Sequence, residues 1–173
     1  MIKFSMKFCG CALLAALVVI LALPAAAETL IGQFGDWDAF QDGAGGDKVC
    51  YMASLPKSEK GDYSSRGQTY LTIVHRPGAK MAGVVRVTAG YAYKQGSDVT
   101  VKIDDKTFLF YTHPDTPDAA WTRGDAAVRK AMIAGRSMVV KGTSGRGTVT
   151  TDTYSLSGVT AAYKAISKAC RVN

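Results

Sequence analysis

Val99-Thr100-Val101-Lys102-Ile103-Asp104-Asp105-Lys106-Thr107-Phe108-Leu109-Phe110-Tyr111-Thr112 is the stretch that decides the fold class. Val99, Val101 and Ile103 alternate with Thr100 and Lys102, the two-residue period of a strand with one face buried. Asp104-Asp105 supplies a tight turn, and the chain returns through Phe108, Leu109, Phe110 and Tyr111. The same period recurs on both sides. Between Gln68 and Arg76, Thr69, Leu71 and Ile73 alternate with Tyr70, Thr72 and Val74. From Val84 onwards, Val85, Val87, Ala89, Tyr91 and Tyr93 share one face, opposite Arg86, Thr88 and Lys94. Ser137–Lys141 and Thr148–Tyr154 flank the glycine-rich turn Gly142–Gly147. Short alternating strands rich in β-branched and aromatic residues, broken by frequent turn signals, predict a mainly β protein built as an antiparallel β-sandwich.

Two segments follow the helical period instead. Val128 and Met132 lie four apart within Asp125–Ala134, Arg129 and Lys130 are expected to face away, and Gly135 stops the helix. At the C-terminus, Val159, Ala162, Tyr163, Ile166 and Cys170 form one apolar stripe, with Ser157 as the expected N-cap and Lys164 and Lys168 outside the stripe. The fold expected is therefore a sandwich with a short helix and a C-terminal helix.

Residues 1–27 read as a cleavable signal peptide. Lys3 and Lys7 precede the apolar run Ala12–Leu23, and Pro24 and Ala25-Ala26-Ala27 complete the order of a cleavage site. Cys9 and Cys11 lie before the apolar run, so they leave with the signal and do not mark a lipid anchor. Residues 28–173 then form a single domain, with no membrane span left after cleavage. Losing Lys3 and Lys7 lowers the formal charge from +7 to +5, spread along the chain without a block of like charges. No nucleic-acid-binding motif is present, and an exported chain is not expected to meet nucleic acid. Two cysteines remain, Cys50 and Cys170; an even count in an exported chain argues for one disulfide, the alternative being two buried thiols.

The residues that could carry chemistry are sparse. His75 ends a strand before Pro77 and His113 precedes Pro114; without a second histidine or cysteine at ligand spacing, both read as turn histidines. No nucleophile elbow or comparable motif accompanies them, and no catalytic, cofactor or metal residue is assigned. Gly43–Gly46 and Gly142–Gly147 match no phosphate-binding fingerprint and read as loops. Trp37 and Trp121 each suit either core packing or ligand stacking. The polar connection Pro56–Gly67 is long enough to carry binding, which makes Lys57, Lys60 and Arg66 the candidate binding-loop residues, against the plain alternative of a solvated loop.

Taken in order, four features resemble the invasion associated locus B (IalB) family: Phe34-Gly35-Asp36-Trp37, Val49-Cys50-Tyr51-Met52, the Gly142–Gly147 turn, and Tyr154–Tyr163 leading to Cys170. The resemblance implies an immunoglobulin-like β-sandwich, a Cys50–Cys170 disulfide, a place in the periplasm or outer envelope, and a non-catalytic role. Family members often carry a further cysteine just after the Gly-Asp-Trp segment. Asp38-Ala39-Phe40 has none, so a second bridge is not expected. The function expected is binding to a protein or glycan of the cell envelope or host surface, with adhesion to or invasion of host cells as its specific form. An envelope enzyme or enzyme inhibitor acting on cell-wall or glycan substrates, and a structural or stress protein, stand as alternatives.

Overall fold

The structure, a computed structural model, describes residues 28–172. The signal-peptide reading of residues 1–27 lies outside them. Eleven strands and two helices follow one another: β1 (Thr29–Phe34), β2 (Trp37–Asp42), β3 (Val49–Ser54), β4 (Ser58–Gly61), β5 (Tyr70–Arg76), β6 (Met81–Thr88), β7 (Val99–Ile103), β8 (Lys106–His113), β9 (Thr116–Trp121), α1 (Asp125–Ala134), β10 (Ser137–Thr143), β11 (Val149–Ser155) and α2 (Val159–Cys170). The strands pair in the order β1-β2-β3-β5-β6-β9-β8-β7-β10-β11-β4, every pair antiparallel.

Strand β8 joins the two layers of the sandwich. Its first part, Lys106 to Phe110, pairs with β7, while Tyr111 and Thr112 pair with β9. The hairpin read from Val99 to Thr112 is therefore the fold's hinge between layers. Asp104 turns it with a positive φ of 47° and accepts hydrogen bonds from the Arg136 and Ser137 N–H groups.

Alternation places the core where the sequence put it. Leu71, Ile73, Val85, Val87, Val99, Val101, Met138, Val140 and Tyr154 are all buried in one cluster. Val159, Ala162, Ile166 and Cys170 of α2 join it, as the stripe predicted, and α2 lies against β1, β2, β3 and β5. Cys50 and Cys170 are bonded, with their Cα atoms 5.8 Å apart, and so lock the last turn of α2 onto β3. Lys48 Nζ donates to the Ala169 carbonyl at 2.7 Å beside the same turn.

Trp37 is fully buried, and its indole Nε1 donates to the Ser155 carbonyl at 3.1 Å, so its role is packing. The preceding turn meets the start of α2, where the Asp36 N–H donates to the Ser157 carbonyl at 3.0 Å. This contact explains why Ser157 is not the N-cap. The N-cap is Gly158, with φ of 93° and no side-chain cap, and a Cβ there would lie 1.7 Å from the Phe34 carbonyl oxygen. The chain enters the helix by a left-handed step that only glycine fits.

Three other expectations change. Strand β6 ends at Thr88; Gly90, at φ 69°, breaks the alternation, and Tyr93 keeps only a single bridge to Ser144. Arg129 does not face away: it lies over the Tyr163 ring, 5.8 Å from its centroid, and donates to the Gly83 carbonyl, tying α1 to β6 and α2. His75 is not a turn histidine but a fully buried residue of β5.

Candidate functional site

Three loops converge into a groove of about 750 Å³: residues 62–67 after β4, 90–92 after β6, and 144–148 between β10 and β11. Their meeting depends on backbones approaching closely. The Gly67 N–H donates to the Gly90 carbonyl at 2.9 Å, and a Cβ on Gly90 would fall 2.2 Å from the Gly67 oxygen. The Gly145 N–H donates to the Ala92 carbonyl at 2.8 Å, fixing the third loop to the second.

Beneath these loops lies a buried ion pair. Arg66 donates from both terminal nitrogens to the two Asp152 carboxylate oxygens, at 2.6 and 2.7 Å, and each side chain is 3% exposed. Its Nε donates to the Ala89 carbonyl at 2.6 Å, and Glu59 approaches to 3.5 Å. Burial works against the Arg66 charge, but the hydrogen bonds and charge of Asp152 outweigh it and hold the pKa above its ordinary value. The guanidinium lies over two rings, 5.0 Å from the Tyr91 centroid and 5.7 Å from that of Tyr63. Tyr91 in turn shares a 2.6 Å hydrogen bond with Thr150 and meets Tyr93 edge-on.

Arg66 thus belongs to the groove, though as its floor rather than as an exposed contact. Its connection is no mere solvated loop, because β4 within it pairs with β11. Lys57 and Lys60 do not join Arg66. Lys57 is ion-paired to Asp36, whose carboxyl is held below the usual range first by that hydrogen bond, and Lys60 is exposed on β4. Sequence reasoning missed Tyr63, Tyr91, Arg146, Thr150 and Asp152. One signal was present: Thr150, Asp152 and Tyr154 share the inward parity of β11, and an acid on a buried face requires a cationic partner.

The histidines take no part in the groove. His75 Nδ1 accepts the Gly83 N–H at 3.0 Å, and Nε2 lies 3.1 Å from Ser167 Oγ on α2. Burial, and then the Arg129 charge, lower its pKa to about 4. An unfolded chain's histidine titrates near 6.5, so the unfolded state holds the extra proton between those values. Stability is full above pH 6.5, falls as the pH drops from 6.5 to 4, and levels off below. The expected loss is about 3 kcal/mol. Urea midpoints at pH 7.5 and 4.5 should show it in the wild type and show a smaller fall in His75→Gln; parallel losses would assign it elsewhere. His113 is exposed beside Asp115. Among the described residues, no group of three or more His, Cys, Asp or Glu is placed to hold a metal ion.

Fold and site together define a disulfide-tied β-sandwich that displays a loop-built groove over a rigid polar floor. The chain belongs to the invasion associated locus B (IalB) family, whose profile matches residues 37–167. It is similar in fold to the crystal structure of invasion associated protein B from Bartonella henselae, with a TM-score of 0.57 at 16% identity, over 81% of this chain and 97% of that one. No curated protein matches it.

Proposed function

We propose that this is an exported protein of the bacterial envelope, in the periplasm or at the outer membrane, that recognises a partner through the groove and performs no catalysis. The observation that carries the reading is the convergence of three loops on a floor fixed by the Arg66–Asp152 pair. A pre-organised floor of this kind lowers the ordering cost of binding. Neither histidine lines the groove, which favours recognition over hydrolysis. Among the described residues, no helix is long and apolar enough to cross a membrane.

The lining indicates the ligand. The Arg66 charge is paired with Asp152, and the rest of the lining holds one cation, Arg146, and one acid, Asp62, for no net charge. What remains is two tyrosine rings, the hydroxyls of Ser64, Ser65 and Thr148, and glycine backbone. Rings against sugar C–H faces and hydroxyls against sugar hydroxyls suit a neutral glycan. Attachment to host cells is the form this takes if that glycan lies on a host surface, and it is what the family's name suggests.

Titrating the mature protein with chitotetraose, a neutral probe, while following amide chemical shifts tests this. Shifts confined to residues 62–67, 90–92 and 144–150, weakened roughly tenfold by Tyr63→Ala, are expected. Shifts elsewhere, or none with this or other neutral oligosaccharides, would contradict the glycan reading.

A further inference from the structure

A second feature, away from the groove, lies on the outward face of β6, β8 and β9. In register, Tyr111 faces Trp121, and Trp121 faces Arg86. The two ring centroids are 6.2 Å apart. The Arg86 guanidinium lies 5.9 Å from the Trp121 centroid, and that of Arg123 lies 4.9 Å from the Tyr111 centroid. The row therefore runs Arg123, Tyr111, Trp121, Arg86. Leu109, two residues before Tyr111 and on the same face of β8, is 62% exposed.

Among the described residues, no acid compensates either charge. Neither arginine forms an ion pair or a side-chain hydrogen bond among the described residues. The cross-strand neighbours of Arg86 are Thr72 and Trp121, neither of them acidic. Its Nε is enclosed and has no acceptor. Asp98 shares a shallow hollow with Leu109, Tyr111 and Arg123 but makes no ion pair there. A buried charged donor left without an acceptor is unfavourable, and Arg86 Nε is one; at the other end of the aromatic pair Arg123 is exposed and holds its charge in solvent.

We propose that this row is a docking surface for a protein partner that presents carboxylates beside apolar side chains. A guanidinium lying over a ring leaves its in-plane N–H groups for a carboxylate: exposed Arg123 offers its whole fork, and Arg86, whose Nε is enclosed, offers its two terminal nitrogens. Tryptophan, tyrosine and arginine are the residues that most often dominate protein interfaces, and Leu109 supplies exposed apolar surface beside them. The face is an open sheet rather than a crevice, which suits a macromolecule. Trp121 is half-buried between its strand neighbours, and the charges at both ends of the row call for acidic groups beside the apolar ones. Acidic protein is thus favoured over a lipid headgroup or a sulfated sugar.

The test is fluorescence anisotropy of a fluorescein-labelled peptide of alternating glutamate and leucine, at physiological salt, with the mature protein. Arg86→Gln and Arg123→Gln are each expected to weaken binding roughly tenfold. Leu109→Ser should weaken it as well, while Lys130→Gln, which removes an equal charge from exposed α1, should leave it unchanged. Arg86→Lys keeps the charge but loses the planar fork, and it should not restore binding. Melting curves that match the wild type confirm that the variants are folded. Absence of binding, or equal weakening by Lys130→Gln, overturns the proposal. Tighter binding of heparin or of phosphatidylglycerol vesicles through the same two arginines also overturns it, in favour of a sugar or a lipid surface.

Discussion

Arg66→Ala is expected to destabilise the protein by about 3–5 kcal/mol, the range for breaking one side of a buried ion pair. The reason is what remains behind. Asp152 would keep its place on the inward face of β11, 3% exposed, with its cation gone and Glu59 nearby. Asp152→Asn should cost less, because Arg66 would retain Glu59, the Ala89 carbonyl and two tyrosine rings. The pair itself adds little net stability compared with apolar residues of similar volume. Arg66→Met with Asp152→Leu should therefore lose clearly less than Arg66→Met alone and Asp152→Leu alone summed, and denaturant titration of the wild type, these two singles and the double measures that coupling. Additive losses would mean that the two residues do not act as a unit. The double variant should still fold while losing groove binding, which separates the pair's role in the site from its role in stability.

The second large effect is expected from the disulfide. Cys50 and Cys170 are 120 residues apart, so their bond closes most of the described chain into one loop. The chain-entropy account assigns such a loop roughly 4–5 kcal/mol, an upper figure because unfolded chains retain structure. Cys50→Ser and Cys170→Ser should each lose a similar amount, and the double variant should be no worse than either. Denaturant midpoints decide it, and strict additivity would contradict a shared bond. The loss should be concentrated at α2. Without the bond, that helix is held to the sheet by its apolar stripe, the Lys48–Ala169 hydrogen bond and the His75–Ser167 contact. Amide exchange should therefore rise first from Val159 to Cys170.

How far the sequence revealed this molecule depends on the range of each interaction. The hairpin from Val99 to Thr112 and the stripe of α2 were legible because their patterns are local and their spacing is all they require. The short strand β4 is charged and mostly exposed, and β9 contains Pro117, so neither carries the alternation that marks a strand. Their existence is a matter of pairing with distant neighbours. The candidate site was less legible. Arg66 stood out as one cation in a polar loop, yet its partner lies 86 residues away, and only the parity of Asp152 hinted at the pair. The row from Arg123 to Arg86 depends on the register of three strands, which alternation alone does not set. His75 was misread for a related reason. Its position before Pro77 resembles a turn, while the Gly83 N–H and Ser167 that hold it come from β6 and α2.

The central claim is that the groove over Arg66 and Asp152 is where this protein meets its partner. The most direct test places a photo-crosslinking amino acid at Ser65, on the groove lip, or at Lys130, on exposed α1, in cells producing the full chain. The captured material is then identified by mass spectrometry. The account predicts one reproducible adduct from position 65, carrying glycan, that is absent from position 130 and lost with Tyr63→Ala. Equal capture at both positions, or an adduct at 65 that Tyr63→Ala leaves unchanged, would contradict it.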